Sequence, residues 1–225
     1  NIEHLLVEDN SRPTTFKIRY LVDNQKMFRV SRMKEHSISQ LVEDQIITEL
    51  KNAATQVRGI LISDFVYGVI TPRVLETITQ LSAKHHLLVF GDLQCSSQVG
   101  NVSKFKNFDL LCPTERESRI ALGTQDEGLE WLAKTLMERT NTRNLVMKLG
   151  SEGFVAYESE VDGFINRQHF PALNYGTRTV DQHFDLDSSF LTTCLGGQRI
   201  YRLELMVVEG LGLYGDLPAI GILHC

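Results

Sequence analysis

The stretch Thr15-Phe16-Lys17-Ile18-Arg19-Tyr20-Leu21-Val22 alternates polar and apolar side chains for most of its length, and after Asp23-Asn24-Gln25 a second extended run continues from Lys26 to Ser31. Alternation on both sides of an Asp/Asn turn predicts a β-hairpin over 13–32, one face covered and one wet. From Ser37 the period lengthens. Ile38, Leu41, Val42, Ile46 and Leu50 recur at three- and four-residue steps, and Ser37 with Gln40 has the form of a capping box, so a helix is expected.

Gly59-Ile60-Leu61-Ile62-Ser63 then has the makings of a short buried strand ending at Asp64, and Thr71-Pro72 opens a helix with Val74, Leu75, Ile78 and Leu81 on one face. Leu87-Leu88-Val89-Phe90 is the next buried strand, Leu110-Leu111-Cys112 is a short one broken by Pro113, and Leu145-Val146-Met147-Lys148-Leu149 is closed by Gly150. Between the last two, 129–137 has a helical period whose core stripe is expected to be Leu129, Trp131, Leu132 and Leu136. Strands and helices alternating at this spacing predict an α/β fold, a mainly parallel sheet flanked by helices, with 1–225 as a single domain. Beyond Phe170 the pattern weakens: Phe190 to Cys194 continues a helix begun near Asp187, Tyr201 to Val208 suits a strand, and Gly210 to Cys225 has no clear period.

In an open parallel sheet, ligands sit beyond the carboxyl ends of the strands. Four polar or glycine-rich features fall at such ends: Asp64 with Tyr67-Gly68, Asp92, Pro113-Thr114-Glu115-Arg116-Glu117, and Gly150-Ser151-Glu152-Gly153. Each alone has a plainer explanation as a turn residue or helix cap, favoured for Asp92 and for Ser151-Glu152; together they suggest a site.

Charge narrows the class. With 23 Lys and Arg against 28 Asp and Glu, the net charge of −5 and the lack of a basic run argue against nucleic acid. No apolar run approaches the ~20 residues of a spanning helix, so no membrane is expected. The four cysteines, Cys95, Cys112, Cys194 and Cys225, are scattered, which suits a reduced, cytoplasmic protein with small buried thiols. Gly210-Leu211-Gly212-Leu213-Tyr214-Gly215 spells G-x-G-x-x-G, but the ten residues after it are too few for a dinucleotide-binding unit. His85-His86 has no carboxylate partner at fixed spacing and is expected at the surface.

The order of Arg12-Pro13-Thr14-Thr15-Phe16-Lys17-Ile18-Arg19, Ser63-Asp64-Phe65-Val66-Tyr67-Gly68-Val69-Ile70-Thr71-Pro72, Pro113-Thr114-Glu115-Arg116-Glu117 and Lys148-Leu149-Gly150-Ser151-Glu152-Gly153 resembles the ribokinase-like (PfkB) carbohydrate kinases. Within them it is most similar to the heptose-phosphate kinase branch, with its RPTT-x-K-x-R, SDY-x-KG and P-N-x-x-E motifs. The resemblance runs from about Arg12 to about Val180.

It implies a ribokinase-like fold, with the hairpin as a lid over the sugar site that pairs with its twin in a homodimer. It implies ATP and Mg²⁺ as cofactors, and a sugar or sugar phosphate as acceptor. The family's N-x-x-E element, which holds the hydrated metal, falls on Thr114 and Glu117, with a hydroxyl in place of the amide. Its T-x-G-x-x-G element beside the nucleotide falls on Lys148, Gly150 and Gly153, with Lys in place of Thr; a solvated lysine is the plainer expectation there. Lys17 and Arg19 alternate onto one face of the hairpin and would suit an anionic sugar phosphate and an ordinary solvated sheet face equally, and Asp64 is a further candidate for binding the acceptor.

The G-A-G-D motif, whose turn forms an anion hole and whose Asp removes the acceptor proton, falls on Phe184, Asp185, Leu186 and Asp187. Asp187 takes the base position, while the three residues before it depart from the pattern. The family's opening βαβ segment with Gly-Gly-Asn has no counterpart, and with Asn1 in place of an initiator Met the expectation is a chain incomplete at its N-terminus. Two functions follow as expectations: a carbohydrate kinase with Asp187 as base, or a non-catalytic, pseudokinase-like protein that binds nucleotide or sugar.

Overall fold

The computed structural model describes residues 3–22, 25–94, 100–160, 163, 165–172, 205–209 and 219–224. By the density of its internal packing, the chain divides into two compact units, 1–87 with 204–225, and 88–203.

The first unit contains β1 (Glu3–Glu8), β2 (Phe16–Val22), β3 (Gln25–Arg32), α1 (Gln40–Ala53), β4 (Gly59–Asp64) and α2 (Pro72–His85). β10 (Leu205–Glu209) and β11 (Ala219–His224) complete it. β4 pairs in parallel with β10, β10 runs antiparallel to β11, and β11 antiparallel to β1. α1 is capped at Ser39, whose hydroxyl accepts from the Val42 N–H, two residues later than the spacing of Ser37 and Gln40 suggests. Its buried face is Val42, Ile46, Ile47, Leu50 and Ala53, whereas Leu41 is 72% exposed. Val42, Ile46 and Leu50 form a complete stripe at four-residue steps, and Leu41 lies about a quarter turn off it. α2 begins as expected at Thr71-Pro72 and buries Val74, Ile78 and Leu81; its C-cap, His86, is exposed with φ +55. Glu43 on α1 ties the two helices, accepting from Thr71 Oγ1 at 2.5 Å and from Arg73 Nη1 at 2.9 Å.

β2 and β3 form a separate antiparallel pair, Ile18 opposite Val30 and Tyr20 opposite Phe28, which is the expected hairpin. Opposed residues share a face. One face therefore carries Phe16, Ile18, Tyr20, Phe28 and Val30, and the other Lys17, Arg19, Arg29 and Ser31. The expectation of a covered face is not met among the described residues: Phe16 and Phe28 are each 60% exposed.

The second unit contains β5 (Leu88–Leu93), β6 (Leu110–Leu111), α3 (Glu115–Leu122), α4 (Leu129–Thr140), β7 (Asn144–Lys148), β8 (Phe154–Ser159) and β9 (Ile165–Phe170). β5, β6 and β7 are parallel neighbours, and α3 and α4 make the crossover from β6 to β7 that a parallel pair requires. β8 and β9 then extend the sheet antiparallel. Phe90, Leu93, Leu110, Leu111, Leu132 and Leu136 are fully buried and form the heart of this unit. Trp131 does not join them. It is 43% exposed, because Leu132, Ala133, Leu136, Met137 and Thr140 already define α4's inner face and position 131 lies off it.

Candidate functional site

In the second unit, three parallel strands end together. Asp92 lies near the end of β5, Thr114 follows β6, and Lys148 is the last residue of β7. The main chain binds the last two: Lys148 N–H donates to Pro113 O at 2.8 Å, and Thr114 and Lys148 form a parallel bridge. Lys148 Nζ reaches across β6 to Asp92 Oδ1 at 2.6 Å, with the two side chains 10% and 3% exposed. Burial would lower the Lys148 pKa, but the charge and hydrogen bond of Asp92, followed by the charge of Glu117, outweigh it and hold the ammonium above its ordinary value. Lys148 is therefore a buried, charged group and not the solvated side chain expected at a strand end.

Thr114 and Glu117 open α3 as a capping box. Thr114 Oγ1 accepts from the Glu117 N–H at 3.2 Å, and Glu117 Oε2 accepts from the Thr114 N–H at 2.8 Å. Glu117 is 5% exposed. T-x-x-E is the sequence signature of such a box, so α3 could have been read from these same two residues. The two do not fit a hydrated divalent cation well. The Thr114 hydroxyl and one Glu117 oxygen are committed to the helix start, and the nearby carboxylate charge is already met by an ammonium. Among the described residues no group of three or more His, Cys, Asp or Glu side chains is arranged to hold a metal.

Gly150 and Gly153 both have positive φ, +62 and +91. At Gly153 a Cβ would stand 2.0 Å from Phe170 O and 2.6 Å from Ala172 N, so the β7–β8 turn is pressed against the chain leaving β9. Leu149 N–H donates to Gly153 O at 2.8 Å, closing that turn.

In the first unit, Asp64 is 2% exposed and accepts the Val66 N–H at 2.8 Å. This Asx-type bond holds Val66 at φ +62, a region that β-branched residues avoid. The turn sets the rings of Phe65 and Tyr67 at 6.1 Å, inclined by 22°. Lys17 Nζ rests 5.5 Å from the first ring centroid and 5.1 Å from the second, a double cation–π contact between the hairpin and the β4 loop. Arg19 is exposed on the same hairpin face.

Arg12, from the Arg-Pro-Thr-Thr run, completes this region. Its Nε faces Asp9 Oδ2 at 2.7 Å, its Nη1 donates to Tyr67 O at 2.7 Å and its Nη2 to His36 O at 2.8 Å. Gly68, at φ +80, leaves no room for a Cβ, which would stand 2.4 Å from His36 O. Neither Arg12 nor Asp9 stands out by pattern; only the Arg-Pro-Thr-Thr order hinted at the first.

Asp92, Thr114, Glu117, Lys148, Gly150 and Gly153 thus belong to one unit, and Lys17, Arg19 and Asp64 to the other. Asp187, Phe184, Asp185 and Leu186 lie outside the described residues, as do Cys95, Cys194, Cys225 and the Gly210 to Gly215 run. Cys112 is buried, as a small apolar thiol would be.

No protein-family model matches the chain. Two curated relatives, each called bifunctional protein HldE, come from Geobacter sulfurreducens, 30% identical over 151 residues, and from Trichlorobacter lovleyi, 29% identical over 151 residues. Each alignment covers 66% of this chain and 30% of the relative, so the chain spans about a third of their length. Among solved structures, the ribokinase of Giardia lamblia superposes with a TM-score of 0.56 at 16% identity, over 74% of this chain and 51% of that one. The chain has a ribokinase-like fold. A PfkB protein from Polaromonas sp. JS666 agrees, with a TM-score of 0.51 at 15% identity over 73% of this chain and 56% of the other. The ribokinase-like fold is thus the α/β arrangement that the strand and helix rhythm implies. No helix among the described residues is long and apolar enough to cross a membrane.

Proposed function

We propose that the chain is the core of an ATP-dependent kinase acting on a sugar or sugar phosphate of the heptose-phosphate type. The observation that carries the reading is the convergence of Asp92, Thr114 and Lys148 at the carboxyl ends of three neighbouring parallel strands, where ligands of open α/β sheets bind. Its support is the kinship with the HldE proteins.

Phosphoryl transfer asks a protein chiefly to align donor and acceptor and to stabilise charge. In this reading Gly150 and Gly153 shape the turn that lies along the nucleotide, and Lys148 fixes the charge at the strand ends. Lys17 and Arg19 present cations to an acceptor phosphate, Asp64 orders the loop beneath Lys17, and Asp187 takes the acceptor proton. Magnesium accompanies the phosphates of ATP and is not held by Glu117. The hairpin closes over the acceptor, and its apolar face meets a second copy of the chain.

The test is turnover of a heptose phosphate with ATP by the full chain, beside the Asp187→Asn variant. Loss of turnover with nucleotide-induced stabilisation retained is the expected result; undiminished turnover in the variant removes Asp187 from the role of base. One observation favours a second reading, a binder without turnover: Phe184, Asp185 and Leu186 stand where the kinases have a glycine-rich turn. A thermal shift with ATP or sugar phosphate but no product under any condition would select it.

A further inference from the structure

We infer that the Lys148 ammonium is a resident cation, standing in for the divalent metal at the Asp92–Glu117 cluster, and that this cluster binds no divalent ion. The inference deepens the kinase reading only in taking Thr114 and Glu117 as the counterpart of the metal-side element; it needs no turnover.

Three observations carry it. First, Lys148 stands where the resembling motif has an uncharged threonine, so this chain carries a positive charge at that position. Second, that charge is buried and directed at acids: Nζ is 2.6 Å from Asp92 Oδ1, and Glu117, 5% exposed, adds its field to the same ammonium. Third, part of the donor set a hydrated metal would use is committed, since Thr114 Oγ1 and one Glu117 oxygen, Oε2, form the two halves of the α3 capping box. A magnesium ion keeps most of its water and asks for carboxylate oxygens in octahedral array. An ammonium asks only for acceptors around three donors, and it is tethered, so it is present whatever the metal concentration. A divalent ion entering here would meet an enclosed like charge at short range, where screening by water is weakest.

The experiment is titration of the full chain with manganous ion alone, followed by the paramagnetic resonance of the free ion. The wild-type protein is expected to leave the signal of free ion undiminished up to millimolar concentration. Lys148→Thr is expected to gain a manganous site at least ~10-fold tighter, as removal of a unit charge beside a divalent ion requires. Adding Glu117→Gln to that variant should abolish the site. Should Lys148→Thr fail to fold, Lys148→Gln, which keeps a donor for Asp92, takes its place. Submillimolar binding by the wild-type chain that Glu117→Gln removes would overturn the inference, and so would a folded Lys148→Thr or Lys148→Gln variant that binds no manganese. Either failure leaves the kinase reading standing, since that is judged by phosphorylated product.

Discussion

Arg12 Nη1 and Tyr67 O are 2.7 Å apart although 55 residues separate them, and the same guanidinium holds His36 O at 2.8 Å. Arg12 precedes β2 and His36 follows β3, so one planar fork ties both ends of the hairpin to the loop after β4. Arg12→Ala would leave Asp9 buried without its cation, and a loss of about 3–5 kcal/mol is expected from denaturant titration. Arg12→Lys keeps the charge but not the fork and should recover only part of it.

Asp9 supplies the acid limb of this prediction. Burial would raise its pKa, but hydrogen bonds from Ser11 and the charge of Arg12 bring it below the ordinary 3.8. A lowered carboxyl pKa stabilises the fold above its unfolded value and ceases to do so as pH falls through the folded one. The wild-type chain should therefore lose stability below about pH 4, and Arg12→Ala should show a shallower acid limb in melts between pH 5 and 2.

At the alkaline end, Lys148 and Tyr157 act in the same direction. Lys148 is held above 10.5 by Asp92 against its burial, and burial with the charge of Glu130 pushes Tyr157 up to about 12. In each case the folded state keeps a proton that the unfolded state releases, so stability falls as pH rises above about 10. Lys148→Met should cost about 3–5 kcal/mol at neutral pH by stranding Asp92, while Asp92→Leu with Lys148→Met should recover most of it.

Thr114 can be separated from a binding role by its cap. Thr114→Asn retains a good N-cap and is expected within ~0.5 kcal/mol of wild type, whereas Thr114→Val should cost about 1 kcal/mol. Thermal melts in the absence of ligand decide this, because a purely ligand-directed side chain would leave both variants unchanged.

Gly153→Ala should be the costliest of the glycine changes. At φ +91 its Cβ would strike Phe170 O, whereas Gly123, at φ +71, has open space around it. About 1 kcal/mol is expected for Gly123→Ala from backbone strain alone, and clearly more for Gly153→Ala, read by denaturant midpoint.

The central elements were legible because their periods are strong: the alternation in β2, the apolar run of β4 and the Thr71-Pro72 start of α2 all have local causes. α3 was not foreseen, since its eight residues carry Glu115, Arg116, Glu117 and Arg119 and show little apolar period; only the capping pair announces it. β1, β8 and β9 escaped for another reason: β8 and β9 are edge-side strands, and most of β9 is exposed, so burial does not impress a strong pattern on them. Trp131 misled because an aromatic beside leucines suggests a core, while the angular position on α4 decides which side it takes. The Lys148–Asp92 pair could not be read at all. Pairing across an intervening strand depends on the order of strands in the sheet, and 56 residues of sequence carry no mark of it.

The two-faced hairpin has a consequence for how the gene can vary. Phe16, Ile18, Tyr20, Phe28 and Val30 add little to the interior of their own unit, so polar replacements there should leave the melting temperature nearly untouched. What they alter is the apolar area the hairpin exposes to water, whose tendency to be buried is strengthened by excluded salts such as sulfate. Five neighbouring apolar positions thus lie where the interior of their unit does not require them, so their replacement tests the hairpin surface separately from the stability of the fold.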